Sequence, residues 1–168
     1  MASEQSSWPV IDSGSCPCGA IRIETIADPI FVANCHCSVC RRFCNKPYNA
    51  FGMFWKKAVT ISWTNSKSYD DDMLEYEQTD MLRRARCSKC KAPVGDIGIG
   101  LLKPFTFLVA APLGLRPSLN IFYGSGEKNG TLGLRTFYSD FESNLFLIPI
   151  ILLKGVPQRI MLWLRGLW

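Results

Sequence analysis

NCHCSVCRRFC, residues 34–44, holds four of the chain's eight cysteines and its only histidine. Without an export signal, clustered thiols bind metal more often than they form disulfides. Cys35, Cys37 and Cys40 crowd so closely that they serve one metal. Cys44 stands further along the chain. It decides whether that metal is closed by a fourth sulfur or left open for a substrate.

Two further pairs flank this run, Cys16-x-Cys18 and Cys87-x-x-Cys90. A CxxC turn brings two sulfurs to one metal, and a CxC turn does so with a sharper bend. Together Cys16, Cys18, Cys87 and Cys90 can close an all-thiolate site that clamps the first strand to a distant hairpin. The eight cysteines thus allow two closed four-sulfur sites, with Cys44 completing the second, or one closed and one open site. Zinc is the expected ion, because thiolates are soft donors and the spacings suit a tetrahedron.

Around the cysteines the sequence alternates with the period of half-buried strands. Ile21, Ile23 and Thr25 share one face, and residues 30–33 form a short strand that delivers the chain into the cluster. Aromatic and β-branched residues at 48–55 and 58–63 predict two more strands, joined by a solvated turn at Lys56 and Lys57. Further strands are expected at 73–77, 93–97, 105–110 and 119–123, and residues 81–86 lead into CSKC. The acidic run 69–72 and the glycine-rich GSGEKNGTLG (124–133) read as loops. No long helical period precedes residue 140. These features predict a mainly β domain of short strands over residues 13–140, after a polar leader at 1–12.

From residue 141 to 168 the character changes. NLFLIPIILL (144–153) is apolar, yet its uncharged run is shorter than the roughly 20 residues of a membrane span, and Pro149 is expected to interrupt it. Ile160, Trp163, Leu164 and Leu167 follow helical spacing. That face is expected to fold back on the domain or to bury a dimer contact, with a membrane-surface helix as the other reading.

The 168 residues suit one domain with a tail, and the net charge of +5 is too modest to argue nucleic-acid binding. The polar start has no apolar stretch of the kind that directs secretion, so a cytoplasmic or nuclear location is expected. With a single histidine, a Ser-His-Asp hydrolase or a Cys/His zinc finger would have to use His36.

GSCPCGAIRIE, CHCSVCRR and RCSKCKAPVG, in this order, resemble the glutathione-dependent formaldehyde-activating enzyme family, which includes centromere protein V. The resemblance runs from about Ser13 to Asp140. It implies a β-tent of antiparallel sheets and two zinc ions. Cys16, Cys18, Cys87 and Cys90 would hold a structural zinc. Cys35, Cys37 and Cys40 would hold a second, open one at which glutathione and formaldehyde are joined or their adduct cleaved, a carbon–sulfur lyase reaction. An open position suits that chemistry, since it can receive the incoming thiol. Arg41 and Arg42 are candidates for the glutathione carboxylates, with Lys46 and Arg83 behind them. His36 is a candidate proton carrier, although its place between two ligands is expected to turn it from the metal. Lys91 stands where the family pattern has glycine, and Asn120 where histidine is common. The competing reading is a non-catalytic two-zinc scaffold that binds a partner.

Overall fold

The computed structural model describes residues 9–63, 74–78, 82–125 and 133–166. Strands β1 (Asp12–Ser15), β2 (Ile21–Thr25) and β5 (Val59–Trp63) form a small sheet in the order β1-β2-β5. The other strands are β3 (Phe31–Cys35), β4 (Asn49–Trp55), β6 (Leu74–Gln78), β7 (Leu82–Cys87), β8 (Pro93–Gly98), β9 (Phe105–Val109), β10 (Leu119–Ile121) and β11 (Arg135–Thr136). They make an eight-stranded sheet in the order β11-β10-β3-β4-β9-β8-β7-β6. The fold is mainly β, as expected, but the large sheet is mixed: β10 runs parallel to both β3 and β11. The acidic run 69–72 and residues 126–132 of the glycine-rich loop lie outside the described residues.

Strand β4 shows how the layers are built. NAFGMFW is almost continuously apolar and sits at the centre of the large sheet, buried on both faces. Alternate side chains point to opposite faces. Phe51, Met53 and Trp55 join one core cluster with Ile30, Ala33, Phe105 and Ile121. Phe54 joins the other, with Ile21, Ile23, Trp63 and Leu108. The second cluster is the filling between the two sheets. The first is covered by the C-terminal helix.

That helix differs from the expectation in two respects. Ser139 caps it, accepting a hydrogen bond from the Glu142 N–H (3.1 Å) while Glu142 accepts one from the Ser139 N–H (3.3 Å). Helix α2 (Asp140–Ile150) then runs through Pro149 without ending. It continues by a wide π turn (Ile151–Gly155) into α3 (Val156–Leu164). The wide turn lies just before Pro157, which has no N–H to return to the preceding turn. At its end Trp55 Nε1 donates to the Gly155 carbonyl (2.9 Å), pinning the helix to β4. The uninterrupted stretch Phe141–Leu164 is 24 residues, long and apolar enough by length and composition to cross a membrane. Its inner face is Ser143, Gly155 and Leu162 with partly buried Phe146, Leu147, Ile150 and Ile151. Ile160, Trp163 and Leu164, expected to pack inward, are exposed instead, and Leu167 of the same face lies outside the described residues.

Candidate metal centres and their cavity

The two cysteine groups fall on opposite faces of the large sheet. Cys16 and Cys18 occupy the turn between β1 and β2, Cys87 ends β7, and Cys90 lies in the turn before β8. Their four sulfurs lie within 4.8 Å of one another. The Sγ separations are 3.4 Å for Cys16–Cys18, 3.8 Å for Cys16–Cys87 and 3.7 Å for Cys18–Cys87. A tetrahedron of Zn–S bonds has sulfur–sulfur edges of about 3.8 Å. The set fits a closed zinc site. The Ile21 N–H donates to Cys16 Sγ (3.3 Å), as a thiolate ligand would require. Lys91 follows Cys90 with φ of +57°, a left-handed turn residue where glycine is favoured. The turn is held by the Lys91 N–H, which reaches the Cys87 carbonyl (2.8 Å), while its exposed Nζ pairs with Glu75.

The second group stands at the junction of β3 and α1 (Ser38–Cys44), a short helix with too few turns to show a period in the sequence. Cys35 ends the strand, Cys37 is the helix N-cap, and the Cys40 N–H donates to Cys37 Sγ (3.4 Å). Cys35 and Cys37 sulfurs are 3.5 Å apart, and all three sulfurs lie within 4.8 Å of one another. No fourth Cys, His, Asp or Glu joins them among the described residues. Cys44 stays outside the set. Burial, followed by the charge of Asp96, pushes its thiol up to about 11.

Three thiols this close cannot all ionise cheaply. Hydrogen bonds from Cys35 and Cys40 hold Cys37 down at about 2. Cys35 is raised well above the usual thiol range, chiefly by its hydrogen bond to Cys37. A divalent cation would relieve that conflict, and these residues fit one.

The three sulfurs line a cavity of about 410 Å³. Its walls are apolar side chains of β3, β4, β9 and helix α2, including Phe31, Phe51, Met53, Phe107 and Leu147. Its charged side chains are Arg84 and Asp96, both buried. Arg84 stands on β7 directly across from Asp96 on β8, with Nη1 3.6 Å from Oδ2. Both Arg84 Nη atoms lie 3.9 Å from Cys40 Sγ. Asp96 Oδ1 has no hydrogen-bond partner, and burial raises the Asp96 carboxyl to about 6 even though Arg84 opposes the shift.

This pair was missed in the sequence, where Arg84 hides in the basic run LRRARC. The signal was present: Asp96 is a lone acid in the apolar strand PVGDIG. The two arginines that were expected at the site are elsewhere. Arg41 and Arg42 line a separate shallow cleft with Ser38, Asn45, Lys46 and Pro47. Arg83 turns outward, its guanidinium 3.8 Å from the Tyr76 ring centroid. His36 is absent from the cavity wall. It is fully buried, with ring centroids 5.2 Å from Tyr48 and 4.7 Å from Tyr123, and burial lowers its pKa.

A mainly β protein with two cysteine groups that could hold metal, one of four sulfurs and one of three, is the class these observations define. The sequence profile of the glutathione-dependent formaldehyde-activating enzyme matches residues 11–123, and the chain belongs to that family. It is also similar to the uncharacterized lyase C29B12.13 of Schizosaccharomyces pombe, at 29% identity over 77 residues. That match covers 46% of this chain and 50% of the relative, so the chain spans about half the length of the curated relative it matches. A Rhodobacter sphaeroides protein of known crystal structure is similar at 20% identity, covering 62% of this chain and 91% of that one with a TM-score of 0.46.

Proposed function

We propose that the chain is a lyase-type enzyme that makes or breaks the carbon–sulfur bond of a thiol–aldehyde adduct, with glutathione as the thiol. One observation carries this reading: three sulfurs without a fourth, opening into a cavity. Zinc held by Cys35, Cys37 and Cys40 would supply a free coordination position that keeps an incoming thiol in its reactive, deprotonated form at neutral pH. Arg84 offsets part of the negative charge of three thiolates and fixes Cys40 beside it. Asp96, whose free Oδ1 faces no other partner, takes the thiol proton and returns it to the carbonyl oxygen as the S–C bond forms. In the cleavage direction the proton runs the other way. Neither direction needs an oxidant. The cysteines at 16, 18, 87 and 90 hold the sheets together and take no part.

The exposed face of the C-terminal helix, with Phe141, Leu145, Leu152, Leu153, Trp163 and Leu164, supports a location on a membrane surface. Lys154, Arg159 and Arg165 suit anionic lipid. Replacing Leu145, Leu152, Leu153 and Trp163 by glutamine should abolish flotation with anionic liposomes; unchanged flotation would refute it.

The catalytic reading is tested with the zinc-loaded chain, glutathione and a set of aldehydes from formaldehyde to octanal and benzaldehyde, following adduct exchange by NMR. The wild type should accelerate exchange, and Asp96→Asn should lower the rate by about 10²–10⁴, the range for a lost acid–base group. An Asp96→Asn rate equal to wild type removes the proposed proton carrier. A wild type with no effect on exchange of any of these aldehydes returns the protein to the scaffold reading.

A further inference from the structure

The cavity is a poor match to formaldehyde. At about 410 Å³ it lies within the range of pockets that bury drug-sized ligands, whereas formaldehyde has two heavy atoms. Its wall is mostly apolar: Phe31, Phe51 and Phe107 from the sheet face Leu147, Ile148 and Ile151 from the helix, where Asn144 is the one polar side chain. The polar side holds the sulfurs with Arg84 and Asp96. Those two face each other and Cys40, which leaves Asp96 Oδ1 and Arg84 Nε as the unpartnered polar atoms of the cavity. Glutathione carries two carboxylates and an ammonium, and one buried Arg–Asp pair with the Asn144 amide is too little to replace the water all three would lose inside, which is costly for a charge. The helix wall is itself a deliberate cover: Leu147 and Ile151 are drawn inward by the same docking that buries Leu162.

We propose that the aldehyde half of the adduct is a medium-length alkyl or aryl chain seated in this cavity, with the charged glutathione half left at its mouth. The inference rests on the thiol–aldehyde reading above and narrows its substrate. The reaction is then hemithioacetal exchange. The thiol S–H adds across the C=O bond, the S–C bond forms, the π bond opens to a C–O single bond, and the proton moves from sulfur to oxygen. Cleavage reverses each change.

Binding tests this apart from turnover. The zinc-loaded full chain is titrated calorimetrically with S-methyl-, S-butyl-, S-hexyl- and S-octylglutathione, and in parallel with the n-alkanethiols of the same lengths. Affinity should tighten by about fourfold per methylene until the cavity is full, as burial of each CH₂ requires. Ile148→Asn sits at a half-exposed position of the wall and should be tolerated by the fold. It should weaken octyl ligands at least tenfold more than methyl ones, and Leu147→Asn should do the same. Affinity that is flat with chain length in both series overturns the proposal. S-alkylglutathiones that bind with flat affinity overturn it while leaving glutathione as the thiol. A steep alkanethiol series beside S-alkylglutathiones that fail to bind upholds the apolar site and removes glutathione instead.

Discussion

The two cysteine groups use the same donor atoms on opposite faces of one sheet, yet their surroundings differ in every respect that matters to chemistry. Cys16, Cys18, Cys87 and Cys90 lie at the edge of the core between the two sheets, beside Phe54, Leu108 and Trp63. Four sulfurs would complete a zinc tetrahedron there and leave no ligand position to exchange. Cys35, Cys37 and Cys40 lie on the helix-covered face with three sulfurs, a buried Arg–Asp pair and a cavity. One group ties distant strands together. The other, on the proposed reading, leaves its fourth position to a visitor.

The largest effect should come from breaking the closed site. A structural zinc in a small domain contributes about 10–16 kcal/mol, which matches or exceeds a typical domain's whole stability. Cys87→Ala should therefore show no cooperative thermal transition by circular dichroism, and chelation of the wild type should give the same curve. A Cys87→Ala protein that still melts cooperatively near the wild-type temperature would erase the difference between the two sites.

The charged pair offers a sharper test of the open side. Arg84→Met leaves Asp96 buried without its cation, which costs about 3–5 kcal/mol in urea unfolding. The double change Arg84→Met with Asp96→Leu should recover most of that loss, because an apolar pair of similar size carries no uncompensated charge. If the double variant is also fully active, the pair serves only packing, and the distinction between the faces weakens.

A smaller effect is expected at the turn of the closed site. Lys91→Gly relieves a left-handed residue and should raise stability by about 1 kcal/mol, since its exposed pair with Glu75 contributes little. A loss of stability in thermal unfolding would show that the Glu75 contact matters more than backbone strain.

Much of this comparison was legible in the sequence. Period-2 alternation marked β2, and the aromatic and β-branched residues at 48–55 marked β4. The cysteine spacing separated a four-sulfur set from a crowded triplet. The spacing could not place Cys44, because only the turn of α1 determines where its sulfur ends. Arg84 was hidden for a related reason: in a run of three arginines, burial is decided by the cross-strand partner, and Asp96 is remote in sequence. Arg41 and Arg42 looked better placed, being next to a ligand, yet helix α1 carries them to another surface. The helix was misjudged because Pro149 suggested an interruption and the uncharged run is short. The π turn and the Trp55 hydrogen bond keep the helix whole, and it buries small residues and Leu162 rather than its most apolar stripe.

The central claim is that one centre has an exchangeable position and the other has none. It is tested most directly by replacing zinc with cobalt(II) and titrating the loaded protein with 2-mercaptoethanol while recording the visible spectrum. The account predicts two cobalt ions per chain, one of which changes its ligand-field bands as the thiol binds, with the same response in Cys44→Ala. A spectrum that is indifferent to thiol in the wild type and responds only in Cys44→Ala would show that Cys44 closes the second site, and would contradict it.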